Sequence, residues 1–202
     1  MCMVSDRAPA GGDSWRRQGW DQRYRQAEPG SAAAVLADNL HLLPPRGRAL
    51  DLACGLGSNA MLLAGAGLET EAWDYSPVAL ERLMERARRQ GLAITPRERD
   101  VEQHPPPAVS FDVIVVAHFL HRPTAPDLFR ALRPGGVLFY QTWSRARVSD
   151  AGPSNPAFRL AEGELLTLFA GLRPLLYREE GDQGDTTQGL RDVACLVARK
   201  PA

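Results

Sequence analysis

The sequence predicts a single α/β domain: a mostly parallel sheet of about seven strands, helices on both faces, and an antiparallel final strand. Three observations lead there. Apolar strand-like segments alternate with helical patterns along most of the chain, and only at the end do two strand-like segments follow one helix. The segment Phe111 to Ala117 is apolar except for Asp112, as expected of a parallel strand covered by helices on both sides. The chain has 202 residues, 44% of them hydrophobic, which suits one substantial core and roughly one domain.

The elements follow in order. Trp15 to Glu28 is polar but carries Trp15, Trp20 and Tyr24, and reads as a short helical arm ended by Pro29-Gly30. Ser31 is placed to cap an alanine-rich helix reaching to about Leu43, where Pro44-Pro45 stops it. Arg48 to Asp51 then leads through a Gly-x-Gly turn into the helical pattern Ser58 to Ala66. Leu68 to Asp74 is a second strand, followed by a helix with Ser76 at its cap and Pro77 at its first position. Leu92 to Arg97 is a third strand candidate, which Pro96 demotes to an edge or a terminus. After Phe111 to Ala117, a helix is expected past Pro123, a turn at Pro134-Gly135-Gly136 and a strand over Val137 to Thr142. A long insertion, Trp143 to Leu160, precedes a helix around Leu165 to Leu172 and two closing strands, Leu172 to Tyr177 and Ala194 to Arg199. The division expected is residues 1–14 as a flexible leader, 15–45 as a helical arm or cover, and 46–202 as the main domain.

Composition narrows the function classes. The 24 basic and 24 acidic residues balance, so no global field recommends a nucleic acid or an anionic membrane. Arg82, Arg86, Arg88 and Arg89 cluster, but Glu81 and Glu85 share their helix, and a solvated face is expected. No apolar run approaches the roughly 20 residues that span a bilayer. Cys2, Cys54 and Cys195 are too few and too far apart for a disulfide scaffold or a metal knuckle, and no metal site is expected. A reducing cytoplasm and a monomer or simple homodimer are the default expectations.

The segment Leu50 to Ala60 carries the most chemistry. Gly55 and Gly57 allow a sharp turn and close approach to a ligand, while the following helix offers unpaired N–H groups. Asp51 adds a carboxylate at the strand end. Asp74 ends the second strand 19 residues after Gly55, where a carboxylate suits the hydroxyls of a ribose. Asp100 follows the third strand, where a carboxylate can accept from an exocyclic amine and the Val101 N–H can donate to a ring nitrogen.

Together, Asp51-x-Ala53-x-Gly55-x-Gly57, Asp74, Asp100-Val101, Phe111 to Ala117 and Leu132-Arg133-Pro134-Gly135-Gly136 resemble the class I S-adenosylmethionine-dependent methyltransferases. The resemblance implies the Rossmann-like methyltransferase fold with S-adenosyl-L-methionine as cofactor and a small-molecule acceptor. It further implies a methionine moiety flanked by Gly55 and Gly57, with Asp51 facing its amino group and Ala117 and His118 bordering the methyl donor, a ribose on Asp74, an adenine framed by Asp100 and Val101, and Ala53, Asn59 and Tyr75 as further cofactor-binding residues. Trp20, Arg23, Tyr24, Ala72 to Ser76, Gly152 to Pro156 and Glu162 to Leu166 are similar to the smaller branch of tellurite-resistance (TehB-like) methyltransferases. That likeness leaves the acceptor open among a chalcogen oxyanion, a thiol and another small metabolite.

On the acceptor side the candidates are Tyr24, His118 and His121 for catalysis, and Arg23, Arg122, Trp143, Arg145 and Asn155 for binding. Residues 15–28 are expected to cover that pocket, with Arg23 and Tyr24 facing it. Cys54 is read as small strand-end packing and Cys195 as core. A non-catalytic adenosyl-binding module and a nicotinamide oxidoreductase are the alternatives; the latter lacks a Tyr-x-x-x-Lys pair, Lys200 being the sole lysine.

Overall fold

The computed structural model describes residues 14–202; the expected leader falls almost wholly outside the described residues. The arm is a helix, α1 (Ser14–Gln26). A short α2 (Ala34–Ala37) and a 3-10 turn at Leu40–Leu42 lead into β1 (Arg48–Leu52) and α3 (Ser58–Gly65). There follow β2 (Glu69–Asp74), α4 (Pro77–Arg89), β3 (Ile94–Glu98), β4 (Phe111–Ala117) and α5 (Ala125–Ala131). The chain closes with β5 (Leu132–Trp143), α6 (Glu164–Leu168), β6 (Arg173–Arg178) and β7 (Val193–Arg199).

The sheet has seven strands in the order β3-β2-β1-β4-β5-β7-β6. β1 to β5 run parallel, whereas β7 inserts antiparallel between β5 and β6. Alternation sends successive residues of β4 to opposite faces. Val113 and Val115 join Val35, Leu36 and Leu63 in one apolar layer, while Ile114 and Val116 join Leu128, Leu138 and Leu165 in the other. All four β4 residues are fully buried, as the apolar run requires. Pro96 pairs with Ala72 on β3, which is indeed an edge strand, so the missing N–H breaks no central ladder.

Three expectations are corrected. No helix runs from Ser31 to Leu43: Ala33 is extended at φ −61, ψ 139 and α2 has no side-chain cap. Buried side chains capture this segment instead, Asn59 Oδ1 accepting from Ala33 N at 2.9 Å and Gln141 Oε1 from Val35 N at 3.0 Å. β5 begins at Leu132 rather than Val137, because Leu132 already pairs with Phe111 across a register shift. The arginines of α4 are not all solvated. Arg82 Nη1 donates to the carbonyls of Tyr24 and Ala27, and Arg86 Nη1 to that of Leu56, fastening the arm and the glycine turn to α4.

Candidate functional site

The turn from β1 to α3 carries three left-handed residues, Ala53 (φ 54), Gly55 (φ 52) and Gly57 (φ 73). The glycines answer first to the protein itself. A Cβ on Gly57 would run into the Leu83 side chain of α4, and one on Gly55 would meet Tyr24 Oη at 3.0 Å. Ala53 has no such freedom; its left-handed backbone is strain of the kind that gathers at functional sites. His118, at the end of neighbouring β4, is left-handed too, at φ 55. Leu52 pairs with Val116, so the two strained positions lie on adjacent strands at the same rim of the sheet.

Three carboxylates line the rim at the ends of β1, β2 and β3. Asp51 is buried and accepts from Ala60 N at 2.9 Å and Asn59 Nδ2 at 3.4 Å. Burial pushes its pKa up to about 8, with Asp74 adding to the rise against the two donors. Asp74 accepts from Gly55 N at 2.7 Å through one oxygen and from Ser76 N at 2.9 Å through the other. Burial raises its pKa despite these donors. Asp100 accepts from Glu102 N at 2.9 Å and from the Gln103 side chain at 3.2 Å. Val101 beside it is buried. A cleft of about 380 Å³ opens there, lined by Arg17, Glu98, Arg99, Asp100 and His104.

α1 lies across this same rim. Arg17 sits over the Tyr75 ring at 5.0 Å and pairs with Glu98 at 2.8 Å, Arg16 pairs with Glu102 at 3.1 Å, and Asp21 receives the Ser76 hydroxyl. Tyr24 rests on Gly55, its phenol pKa raised by burial and then by Asp74. Arg23 is exposed and lies on Trp20, 5.2 Å from the ring centre. The arm therefore covers the β1–β3 end of the rim.

The other expected residues fall at the ends of β4 and β5. Ala117 is half-buried beside the rim, and the His118 and Trp143 ring centres are 5.0 Å apart. Burial lowers the His118 pKa. His121 Nδ1 lies 2.6 Å from Thr124 Oγ1 and braces the turn before α5. Arg122 grips Glu164 through two nitrogens and also donates to the carbonyls of Ala157 and Arg159. Asn155 caps a turn by accepting from Ala157 N at 2.9 Å, and exposed Arg145 reaches Pro156 O at 3.4 Å. Sequence reasoning missed Arg159, whose guanidinium is buried among the carbonyls of Ser144, Ala151 and Pro153 and orders the insertion. It also missed Gln141, which ties α2 to β5; only their polarity within apolar surroundings could have signalled either. The Cys54 thiol is pushed well up by burial, Asp74 and Asp51, consistent with packing rather than reactivity.

Residues 49–136 match the family model described as a methyltransferase domain. TehB from Haemophilus influenzae superposes with a TM-score of 0.68 at 19% identity, over 92% of this chain and 67% of that one. The fold is that of the class I S-adenosylmethionine-dependent methyltransferases. A SAM-dependent methyltransferase from Aquifex aeolicus shares this methyltransferase fold with a TM-score of 0.65 at 18% identity, over 89% of this chain and 97% of that one. In sequence, the uncharacterized Mycobacterium tuberculosis protein Rv1405c is 30% identical over 105 residues, 50% of this chain and 38% of the relative. The chain thus spans about two fifths of the length of the curated relatives it matches first. Among the described residues, no helix is long and apolar enough to cross a membrane, and no group of three His, Cys, Asp or Glu side chains is placed for a metal.

The rim fits an adenosyl cofactor. Asp74 takes backbone donors from Gly55, Ser76 and Tyr75, and a carboxylate has about four acceptor positions, so capacity for a further hydroxyl remains. Asp51 is a buried carboxyl that a cation would ionise.

Proposed function

We propose that this protein transfers the methyl group of S-adenosylmethionine to a small acceptor. The observation that carries the reading is the meeting, at one rim, of the left-handed Ala53–Gly57 turn with Asp51, Asp74 and Asp100 from three adjacent strands. In this reading Asp74 holds the ribose beside Tyr75, and Asp100 with the Val101 amide frames the adenine. Asp51, Ala53, Gly55, Gly57, Asn59 and Ala117 enclose the methionine end. When bound, the cofactor supplies an electrophilic methyl on a sulfonium sulfur. The chain's part is to align a nucleophile with it and keep water away. The α1 cover and the half-buried Trp143 support that role.

The antiparallel β7 inserted between β5 and β6 departs from the 3-2-1-4-5-6 order of the doubly wound dinucleotide-binding sheet and argues against a nicotinamide oxidoreductase. Lys200, the sole lysine, donates to the carbonyls of Phe129 and Leu132, at the start of β5 and away from the rim. A non-catalytic adenosyl-binding module is separated by turnover. Assays with a radiolabelled methyl donor against chalcogen oxyanions, thiols and small metabolites should give labelled product from at least one class. Asp74→Ala should weaken S-adenosylmethionine binding by about 1 to 3 kcal/mol. Cofactor binding without any transfer would favour the binding module.

A further inference from the structure

We propose that α1 is a gate over the cofactor site: it lifts for S-adenosylmethionine to enter or leave, closes again on the bound cofactor, and is latched by ion pairs that make this exchange salt-dependent. The inference rests on the methyl-transfer reading above and adds to it the step that controls access.

The groups assigned to the cofactor are covered by protein. Asp51 is 1% exposed, Asp74 5% and Val101 6%, and Gly55 and Gly57 are buried. α1 lies over them. A Cβ on Gly55 would meet Tyr24 Oη at 3.0 Å, Asp21 receives the hydroxyl of Ser76, whose N–H is on Asp74, and Arg17 sits on the Tyr75 ring. A ligand that reaches Asp74 from solution therefore displaces the arm first.

Lifting the arm costs little. Among the described residues, none of α1 joins the apolar layers of the core, so the helix leaves the rim without opening them. What holds it is polar: Arg16 on Glu102, Arg17 on Glu98, and Arg82 on the carbonyls of Tyr24 and Ala27. The four side chains of the two ion pairs are 28% to 47% exposed, so salt reaches them.

The chain is anchored just behind the helix. Ser58 Oγ of α3 donates to Gly30 O at 2.6 Å, and Asn59 Oδ1 accepts from Ala33 N at 2.9 Å. Motion is thus confined to residues 14–29, with the pivot between Ala27 and Gly30. Arg17 and Glu98 line the cleft beside Asp100 and frame it, so their pair re-forms with an adenine in place.

S-adenosylhomocysteine is the probe, because its ammonium and carboxylate cancel and salt has no net ligand charge to screen. Its association with the full chain and its release are followed by stopped-flow tryptophan fluorescence, to which Trp20, stacked on Tyr24 at 5.7 Å, contributes. From about 0.01 to about 1 M sodium chloride the screening length falls from about 30 to about 3 Å. Both rate constants should rise about fivefold over that range, the scale that two exposed ion pairs supply, while affinity by calorimetry stays within about threefold. At low salt Arg16→Glu should speed both steps, and Arg16→Glu with Glu102→Arg should restore the wild-type rates. Rates indifferent to salt, or a reversed pair that restores nothing, would overturn the gate alone. So would faster association with unchanged release, since the arm would then compete with the cofactor instead of closing on it. Failure of S-adenosylhomocysteine to bind would overturn the methyl-transfer reading as well.

Discussion

The carboxyl of Asp51 lies under the glycine turn, raised by burial from its ordinary 3.8 to about 8. An acid whose folded-state pKa is raised binds more protons folded than unfolded between those values. Its contribution to stability is therefore complete below about pH 4 and is lost as pH climbs to about 8. Asp51→Asn keeps the shape and cannot ionise, so between pH 7 and 9 the ligand-free wild type should lose on the order of 1 kcal/mol relative to the variant. Urea unfolding at both pH values measures this, and parallel pH dependences would contradict it. The sulfonium and ammonium of the proposed cofactor favour the ionised form, so wild-type affinity should rise over the same window and the variant's should not. Gly57 gives a second expectation at this scale. Gly57→Ala combines a φ of 73 with collision against Leu83 and should destabilise by about 2 kcal/mol or more, read as a lower urea midpoint at unchanged slope. Asp51, Gly55, Gly57, Asp74 and Asp100 were legible as rim residues because strand ends and turn glycines leave local signals. Their present partners were not: Leu83, Tyr24 and the backbone donors reach them from other elements. The same holds for Arg122, whose engagement by Glu164 spans 42 positions.

The α1 arm is held chiefly by polar contacts. Arg16–Glu102 and Arg17–Glu98 are surface pairs, worth about 0 to 1 kcal/mol each and weakened by salt. Arg82 adds donors to the carbonyls of Tyr24 and Ala27 at the arm's end. Arg82→Ala should therefore speed amide hydrogen exchange across residues 14–27 while leaving exchange in β1 and β4 unchanged; unaltered arm exchange would show that α1 docks by other means. The arm was readable as a helix from Trp15 to Glu28, but its helical pattern said nothing of where it docks. The segment after it misled for the opposite reason. Ser31 and the alanines favour a helix locally, yet Asn59 and Gln141 capture the amides of Ala33 and Val35 from elsewhere in the fold. Local propensity gave way to buried hydrogen bonding.

At the scale of the whole molecule, alternation of strands and helices together with the apolar β4 run was enough to anticipate seven strands, helices on both faces and an antiparallel finish. Periodicity did not supply the order in which strands lie, because pairing is non-local; Pro96 pointed only to an edge or a terminus for β3, and the edge is what the pairing shows. That order brings the ends of β1, β2 and β3 together as one carboxylate-lined rim and sets His118 and Trp143 beside it. The central claim is that this rim binds an adenosyl cofactor bearing a methionine end. Calorimetric titration of the full chain with S-adenosylhomocysteine, run beside NAD, tests it most directly. The account predicts one site per chain for S-adenosylhomocysteine, with NAD binding weaker or absent; a folded chain that binds neither, or that prefers NAD, would contradict it.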